Sequence, residues 1–518
     1  MREPKRPQGS REERREEGAI LIALLIFALL FRLVTLMPIH SGVDERDYWT
    51  AAKALVQGTD YPALTHRTVR VAVILPVALF QLILGTGPNV YYVTPILNTL
   101  AQVALAYFIG RKIRGRLTGV LGALALVLFP YMIRAGSQVR PEIFSMTYIL
   151  AAILCLLEYL GRRERWTTPL LLSAAFIFLA YESKITNLFF LPGFALAILL
   201  AKRRPAHALL FSGFLFGLYL AETAAYALFT DFPGGQLQVI LGSHLSDDVP
   251  DVTLGGFADL FKRYARPYLQ SYWQAPFAAF AVAAAYYLSR KAEAALKTLI
   301  AVSASFFFFV TFAVKSLSPL LPAEDFINRY FCAVLGPVFL VLAAAASDLL
   351  AAVLKKDRKP RPLLVAGSAA AIVVALLAYL AAADRPDYAR EFGASPLRPA
   401  DHPLVRNRAY RLIVNEAYRT GVPIVAVDSS GGFNALSACE AYFLDQADEK
   451  PARVAFAGSG GVALVAWGRP ESLDRTAESV IAAVRNPHRL KSLPLSELGS
   501  LTDTRFPGEP GARKNAEE

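Results

Sequence analysis

Apolar residues along this chain gather into long uninterrupted runs, not into the alternating or one-sided stripes of half-buried elements. The runs cover residues 18–37, 71–84, 90–110, 117–133, 143–160, 168–181, 185–201, 208–229, 272–288, 299–314, 330–350 and 363–383. A helix that is apolar all round is buried on every side, and about 20 such residues cross the roughly 30 Å hydrocarbon core of a bilayer. The pattern therefore predicts a polytopic α-helical membrane protein. Run 18–37 is too long for a signal-peptide core and lacks a small-residue cleavage site, so it is read as an uncleaved first span.

Composition agrees, since the 518 residues are 55% hydrophobic and 19% charged, against about 25% charged in soluble domains. The net charge of +12 changes the picture only through its distribution. Lys and Arg sit in short clusters between apolar runs, which is how topology is encoded and not how a nucleic-acid surface is built. Five clusters occupy residues 111–116, 162–165, 202–204, 290–291 and 355–361. The positive-inside rule puts them, with the basic N-terminal tail (1–17), in the cytoplasm.

Run 71–84 then breaks parity. As a span it would send every later cluster outside, and its 14 residues fall short of the length a span needs. It is read as a helix on the outer surface. About eleven spans remain in a membrane module over residues 18–383 of the plasma (inner) membrane, with residues 384–518 extracytoplasmic.

Region 384–518 changes character, with Pro, Asp, Arg and Gly throughout. Residues 423–427, 453–457 and 461–468 read as strands, and 435–444 and 473–485 as helices, which predicts a small α/β domain ending in a disordered tail. The turn Asp428-Ser429-Ser430-Gly431-Gly432 suits an anion at a helix N-terminus. A plain strand-to-helix turn explains the same residues and is preferred. The three cysteines show no CxxC spacing, so neither a disulfide framework nor a cysteine metal site is predicted.

Charge near the outer face is mixed, whereas the inner loops are almost purely basic. Asp44, Glu45 and Asp47 follow the first span directly; such carboxylates ligate a divalent cation or act as a base, and equally suit a solvated helix N-terminus. Arg140 and Glu142 precede a span, Glu182 and Lys184 sit in a tight hairpin, and Arg329-Tyr330 opens a late span. Ion pairing or snorkelling accounts for each alone. Together they place cations suited to a phosphate, and carboxylates suited to a metal or a proton, at one membrane face.

In this order and on these sides, the motifs resemble those of the C-fold (GT-C) glycosyltransferases, the superfamily that includes the protein O-mannosyltransferases and the lipid A aminoarabinose transferases. The first outer loop begins with Asp44-Glu45, with Tyr48 three residues on and Ala51-Ala52 beyond. Residues 73–85 match an outer-surface helix, Gly110-Arg111-Lys112-Ile113-Arg114-Gly115 a basic turn, and Phe129-Pro130 a span end. Glu142, Lys184, Arg329-Tyr330 and Pro337 take the later positions. The resemblance covers residues 18–383. It departs where many relatives carry His-Pro-Pro, since here His66 is followed by Arg67 and Thr68.

The resemblance implies inverting transfer of a sugar from a polyprenyl-phosphate donor to a glycan, lipid or protein acceptor, with no nucleic-acid partner. Asp44 is implied as general base or metal ligand, or as an orienting group if the acceptor is itself a phosphate, with Glu45 and Glu142 in support. Arg140, Lys184 and Arg329 are implied at the donor phosphate, together with Tyr48 and Tyr330. A divalent ion, Mg or Mn, is implied on Asp44 and Glu142. The rival readings are a transporter or flippase of a lipid-linked sugar and a non-catalytic scaffold. No internal repeat is evident, and the charges gather at one face instead of mid-membrane, which is unlike a transporter.

Overall fold

The computed structural model describes residues 11–37, 43–161, 167–202, 205–246, 274–289, 293–317, 320–322 and 328–354, short stretches at 255–256, 258–259 and 262, and strands at 424–428, 452–457 and 462–467. Among these residues the helices are α1 (Arg11–Val34), α2 (Val43–Gln57), α3 (Val71–Leu84), α4 (Val93–Arg114), α5 (Arg116–Leu128), α6 (Pro130–Ala135) and α7 (Pro141–Gly161). They continue as α8 (Thr168–Ser183), α9 (Leu191–Lys202), α10 (Pro205–Phe229), α11 (Gly235–Ser246), α12 (Gln274–Ser289), α13 (Ala294–Phe312) and α14 (Cys332–Leu354).

Six helical stretches are long and apolar enough to cross a membrane: 15–34, 89–114, 141–161, 205–229, 294–312 and 329–351. Other predicted spans are shorter apolar helices, and run 363–383 lies outside the described residues. Two runs differ from the continuous helices expected. Run 117–133 breaks at Phe129, whose extended backbone (φ −66°, ψ 130°) separates α5 from α6. Pro130 supplies the reason, because its ring disfavours a helical preceding residue and it has no N–H to donate. Run 185–201 opens as a 3-10 turn, Ile185–Phe190, before α9.

Helix α3 packs against α2. At its start Arg70 donates to the Tyr48 hydroxyl (2.8 Å), and near its end Gln81 Nε2 donates to the Trp49 carbonyl (3.2 Å). Both ends thus meet adjacent residues of α2, and Tyr91, further along, packs its ring on Trp49. Fourteen residues of helix span about 21 Å, short of a bilayer core. Many side chains of the long helices face outward and are apolar, with Leu228, Phe229, Leu209 and Val282 all at least 70% exposed. In a bilayer that belt meets lipid, and the backbone polar groups are satisfied within the helices.

Close helix approach depends on small residues. A Cβ on Gly119 would meet the Tyr107 carbonyl oxygen at 2.5 Å, and one on Gly110 would meet Gly119 itself. Between α4 and α5, Gly115 adopts φ +100°, open to glycine without strain. The charges sort to opposite ends of the bundle. At one end Arg111 pairs with Glu17 (2.8 Å), Lys112 with Glu158 (2.7 Å), Arg114 with Glu293 (2.9 Å) and Arg116 with Glu16 (2.7 Å). Helix α7 carries Glu158 to that end and Glu142 to the other.

Beyond the bundle, β1 (Val314–Leu317) and β2 (Leu320–Pro322) form an antiparallel hairpin. The three strands expected in the C-terminal region are present as β3 (Ile424–Asp428), β4 (Ala452–Ala457) and β5 (Val462–Trp467). Their sheet order is β3-β5-β4, antiparallel throughout. The helices expected at 435–444 and 473–485 lie outside the described residues.

Candidate active site

At the bundle end opposite the basic clusters, five segments deliver charged side chains to one place. The first turn of α2 supplies Asp44 and Glu45, where carboxylates favour the positive pole of a helix. The segment joining α2 to α3 folds back on itself. Thr65 N–H donates to Thr68 Oγ1 (2.8 Å), Thr68 Oγ1 donates to the Ala63 carbonyl (2.8 Å), and the Tyr61 hydroxyl donates to the Thr68 carbonyl (2.7 Å). That compact turn returns Arg67 and Arg70 toward α2.

Arg140 and Glu142 flank Pro141 at the start of α7, held there by Val139 N–H donating to the Tyr91 hydroxyl (2.9 Å). Lys184 follows the last turn of α8, where the backbone swings into an extended conformation. Ser183 and Asn187 on either side both bond Ser145 of α7, at 2.8 and 2.7 Å. Arg329 and Tyr330 come from a 3-10 turn, Asn328–Phe331, that opens α14.

The groups alternate in sign. Asp44 Oδ1 accepts from Arg67 Nε (2.5 Å) and Oδ2 from Arg329 Nη1 (3.1 Å). The second arm of Arg67 reaches Asp47 (3.2 Å). Glu45 pairs with Arg140, both side chains nearly inaccessible. Glu142 pairs with Lys184 (2.8 Å), and Arg329 Nε approaches the same carboxylate at 3.9 Å. The Lys184 ammonium also stands 3.6 Å above the centre of the Tyr330 ring, a cation–π geometry. Tyr48 is fully buried, and its hydroxyl serves Arg70.

Burial by itself would raise the Asp44 carboxyl, but the guanidinium groups of Arg329, Arg67 and Arg70 outweigh it and hold Asp44 below the ordinary carboxylate value. Asp44 is therefore ionised and weakly basic in this state. Its neighbours Arg67 and Arg329 keep 26% and 33% of their side-chain surface, so the cations beside Asp44 are reachable while Glu45 and Glu142 are not.

Asp44 and Glu142 do not converge as a metal pair, because Arg329 stands between them and Lys184 occupies Glu142. Among the described residues no three His, Cys, Asp or Glu side chains group so as to hold a metal ion. Mg or Mn needs several oxygen ligands free of competing cations, so this donor set does not fit one.

All eight residues singled out from the sequence lie at this end: Asp44, Glu45, Tyr48, Arg140, Glu142, Lys184, Arg329 and Tyr330. Sequence reasoning missed Arg67 and Arg70. Their signal was two arginines three residues apart in a loop otherwise facing acidic residues.

Residues 72–226 match the family of dolichyl-phosphate-mannose-protein mannosyltransferases. Among solved structures the fold is similar to ArnT from Cupriavidus metallidurans bound to undecaprenyl phosphate, at 14% identity and a TM-score of 0.46 over 82% of this chain and 74% of that one. It is also similar to the oligosaccharyltransferase AglB from Archaeoglobus fulgidus (13% identity, TM-score 0.43, 71% and 56% of the two chains). The arabinosyltransferase EmbB from Mycobacterium smegmatis is similar at 15% identity and a TM-score of 0.39, over 66% and 31%. No curated protein sequence matches. The family match falls within residues 72–226, from α3 to α10, and is a similarity of that segment to the mannosyltransferase family.

Proposed function

We propose that this protein transfers a sugar from a polyprenyl-phosphate donor to an acceptor at the extracytoplasmic face of the plasma membrane, with inversion at the anomeric carbon. The observation that carries the reading is the carboxylate Asp44 set between two partly exposed guanidinium groups, Arg67 and Arg329, at one end of a membrane bundle. A sugar–phosphate bond breaks most easily where fixed positive charge meets the phosphate as it leaves. Asp44 takes the proton of the acceptor hydroxyl, and that oxygen bonds the anomeric carbon from the face opposite the phosphate. The carbon–oxygen bond to phosphate breaks, and its electron pair departs with the polyprenyl phosphate onto the cations. If the acceptor is itself a phosphate, no base is needed and Asp44 orients it.

Arg329 and Lys184 are the donor-phosphate ligands in this reading, with Tyr330 supporting both through its ring. Arg140 is buried against Glu45 and holds α2 to α7, which fixes the direction of Asp44. The acceptor is a glycan, lipid or protein hydroxyl, or a phosphate. The N-terminal tail lies in the cytoplasm and the C-terminal region outside, on the parity of the basic clusters.

The test is a transfer assay on purified protein in detergent, with a panel of polyprenyl-phosphate sugars and released polyprenyl phosphate as readout. Asp44→Asn abolishes release while the protein stays folded and inserted. Full activity in that variant would refute the assignment of Asp44. Movement of labelled lipid-linked sugar across proteoliposomes without release would establish the transporter instead.

A further inference from the structure

Arg67 flanks Asp44 but is not among the donor-phosphate ligands named above, yet it makes the closest contact to Asp44. Its Nε meets Asp44 Oδ1 at 2.5 Å and its Nη1 meets Asp47 Oδ2 at 3.2 Å, so one guanidinium neutralises two carboxylates of α2. About a quarter of its side chain is still exposed, as is about a fifth of Asp44. The turn that presents it is braced independently by Thr65, Thr68 and Tyr61, so the backbone position of Arg67 does not depend on the ion pair.

A planar guanidinium binds a phosphate through the same fork with which it binds carboxylate. A phosphate arriving between Arg67 and Arg329 competes with Asp44 for both. The other groups facing Asp44 leave it few alternatives: Arg70 is engaged by the Tyr48 hydroxyl, Arg140 by Glu45 and Lys184 by Glu142.

Resting on the donor chemistry proposed above, we propose that Arg67 is a phosphate ligand held in reserve by Asp44 and Asp47. Its transfer from carboxylate to the donor phosphate leaves Asp44 free to accept a proton only when donor is present. With its guanidinium partners drawn away, the carboxylate becomes more basic at the moment a base is required.

The experiment measures binding of undecaprenyl phosphate to the full chain in nanodiscs, for the unmodified protein, Asp44→Asn, Arg67→Gln and the double variant. Competition predicts that Asp44→Asn tightens binding about threefold or more, because it frees both guanidinium groups. In the Arg67→Gln background most of that gain disappears, and Arg67→Gln alone weakens binding. Arg67→Lys, which keeps the charge but loses the fork, falls between. Equal tightening by Asp44→Asn in both backgrounds, or none in either, overturns the role of Arg67 while donor binding itself stands. Absence of undecaprenyl phosphate binding in every protein overturns both this inference and the donor reading. A folding defect in Arg67→Gln is recognised by thermal unfolding, and the comparison then rests on Arg67→Lys with and without Asp44→Asn.

Discussion

Lys184 and Glu142 form a 2.8 Å ion pair in which both side chains are almost wholly buried, 7% and 3% exposed, joining the end of α8 to the start of α7. Taking two charges out of water is costly, and the pair is tolerated only because each compensates the other. Lys184→Met strands Glu142 and is expected to destabilise the folded protein by about 3–5 kcal/mol. Thermal unfolding in detergent checks this. The double variant Lys184→Met with Glu142→Gln should recover part of the loss, and no recovery would contradict a direct pair.

The depressed Asp44 carboxyl sets a pH window for stability. A group whose folded value lies below its unfolded value stabilises the protein above the unfolded value, about 3.9 for Asp. That contribution is lost as pH falls through the lower folded value. The stability difference between the unmodified protein and Asp44→Asn is therefore expected to stay constant from about pH 5 to 8 and to shrink only below about pH 4. Arg329→Gln should move the fall to higher pH. A difference that already fades near pH 6 would mean Asp44 is not held by its guanidinium neighbours.

Helix α3 meets α2 at both ends, through Arg70–Tyr48 and Gln81–Trp49. In a background without Cys155, Cys332 and Cys439, single cysteines at Val71 and Leu84, both well exposed, are expected to react with a membrane-impermeant maleimide from the same side. Labelling from opposite sides would make α3 a span and reverse the topology of everything after it.

The backbone of α5 touches that of α4 at Gly119, where a methyl group would sit 2.5 Å from the Tyr107 carbonyl oxygen. Gly119→Ala should cost about 1–3 kcal/mol, the usual scale of overpacking. Gly213→Ala is the control, since no atom lies within 4 Å of the added carbon. Similar melting temperatures for the two variants would argue against the close α4–α5 approach.

With guanidinium or ammonium groups on both Asp44 and Glu142, transfer activity is expected to survive EDTA. Loss on chelation that Mg or Mn restores would place a divalent ion at Asp44 after all, displacing Arg67 or Arg329.

The sequence alone determined the membrane class and the two charged ends, and it supplies the reading of α3 as a surface helix that the labelling experiment tests. Each follows from a one-dimensional quantity: the length of an apolar run, the sign of the loop charge, or parity along the chain. It also located β3, β4 and β5, since short apolar runs bounded by turn residues mark strands locally. Asp44, Glu142, Lys184 and Arg329 were legible as a group because topology alone assigns them to one side.

What they touch was decided only by tertiary structure. Asp44 and Glu142 read equally well as a metal pair until the packing of α14 against α7 set Arg329 between them. The pairing of Arg67 with Asp44 could not be found from spacing, because the two lie 23 residues apart and meet only through the folded 61–70 turn. The break at Pro130 was legible as a residue but not as an interruption, since proline in a membrane helix kinks or breaks it according to its neighbours. Side and length are written along the chain, whereas ion pairing depends on distances that exist only once the helices have packed.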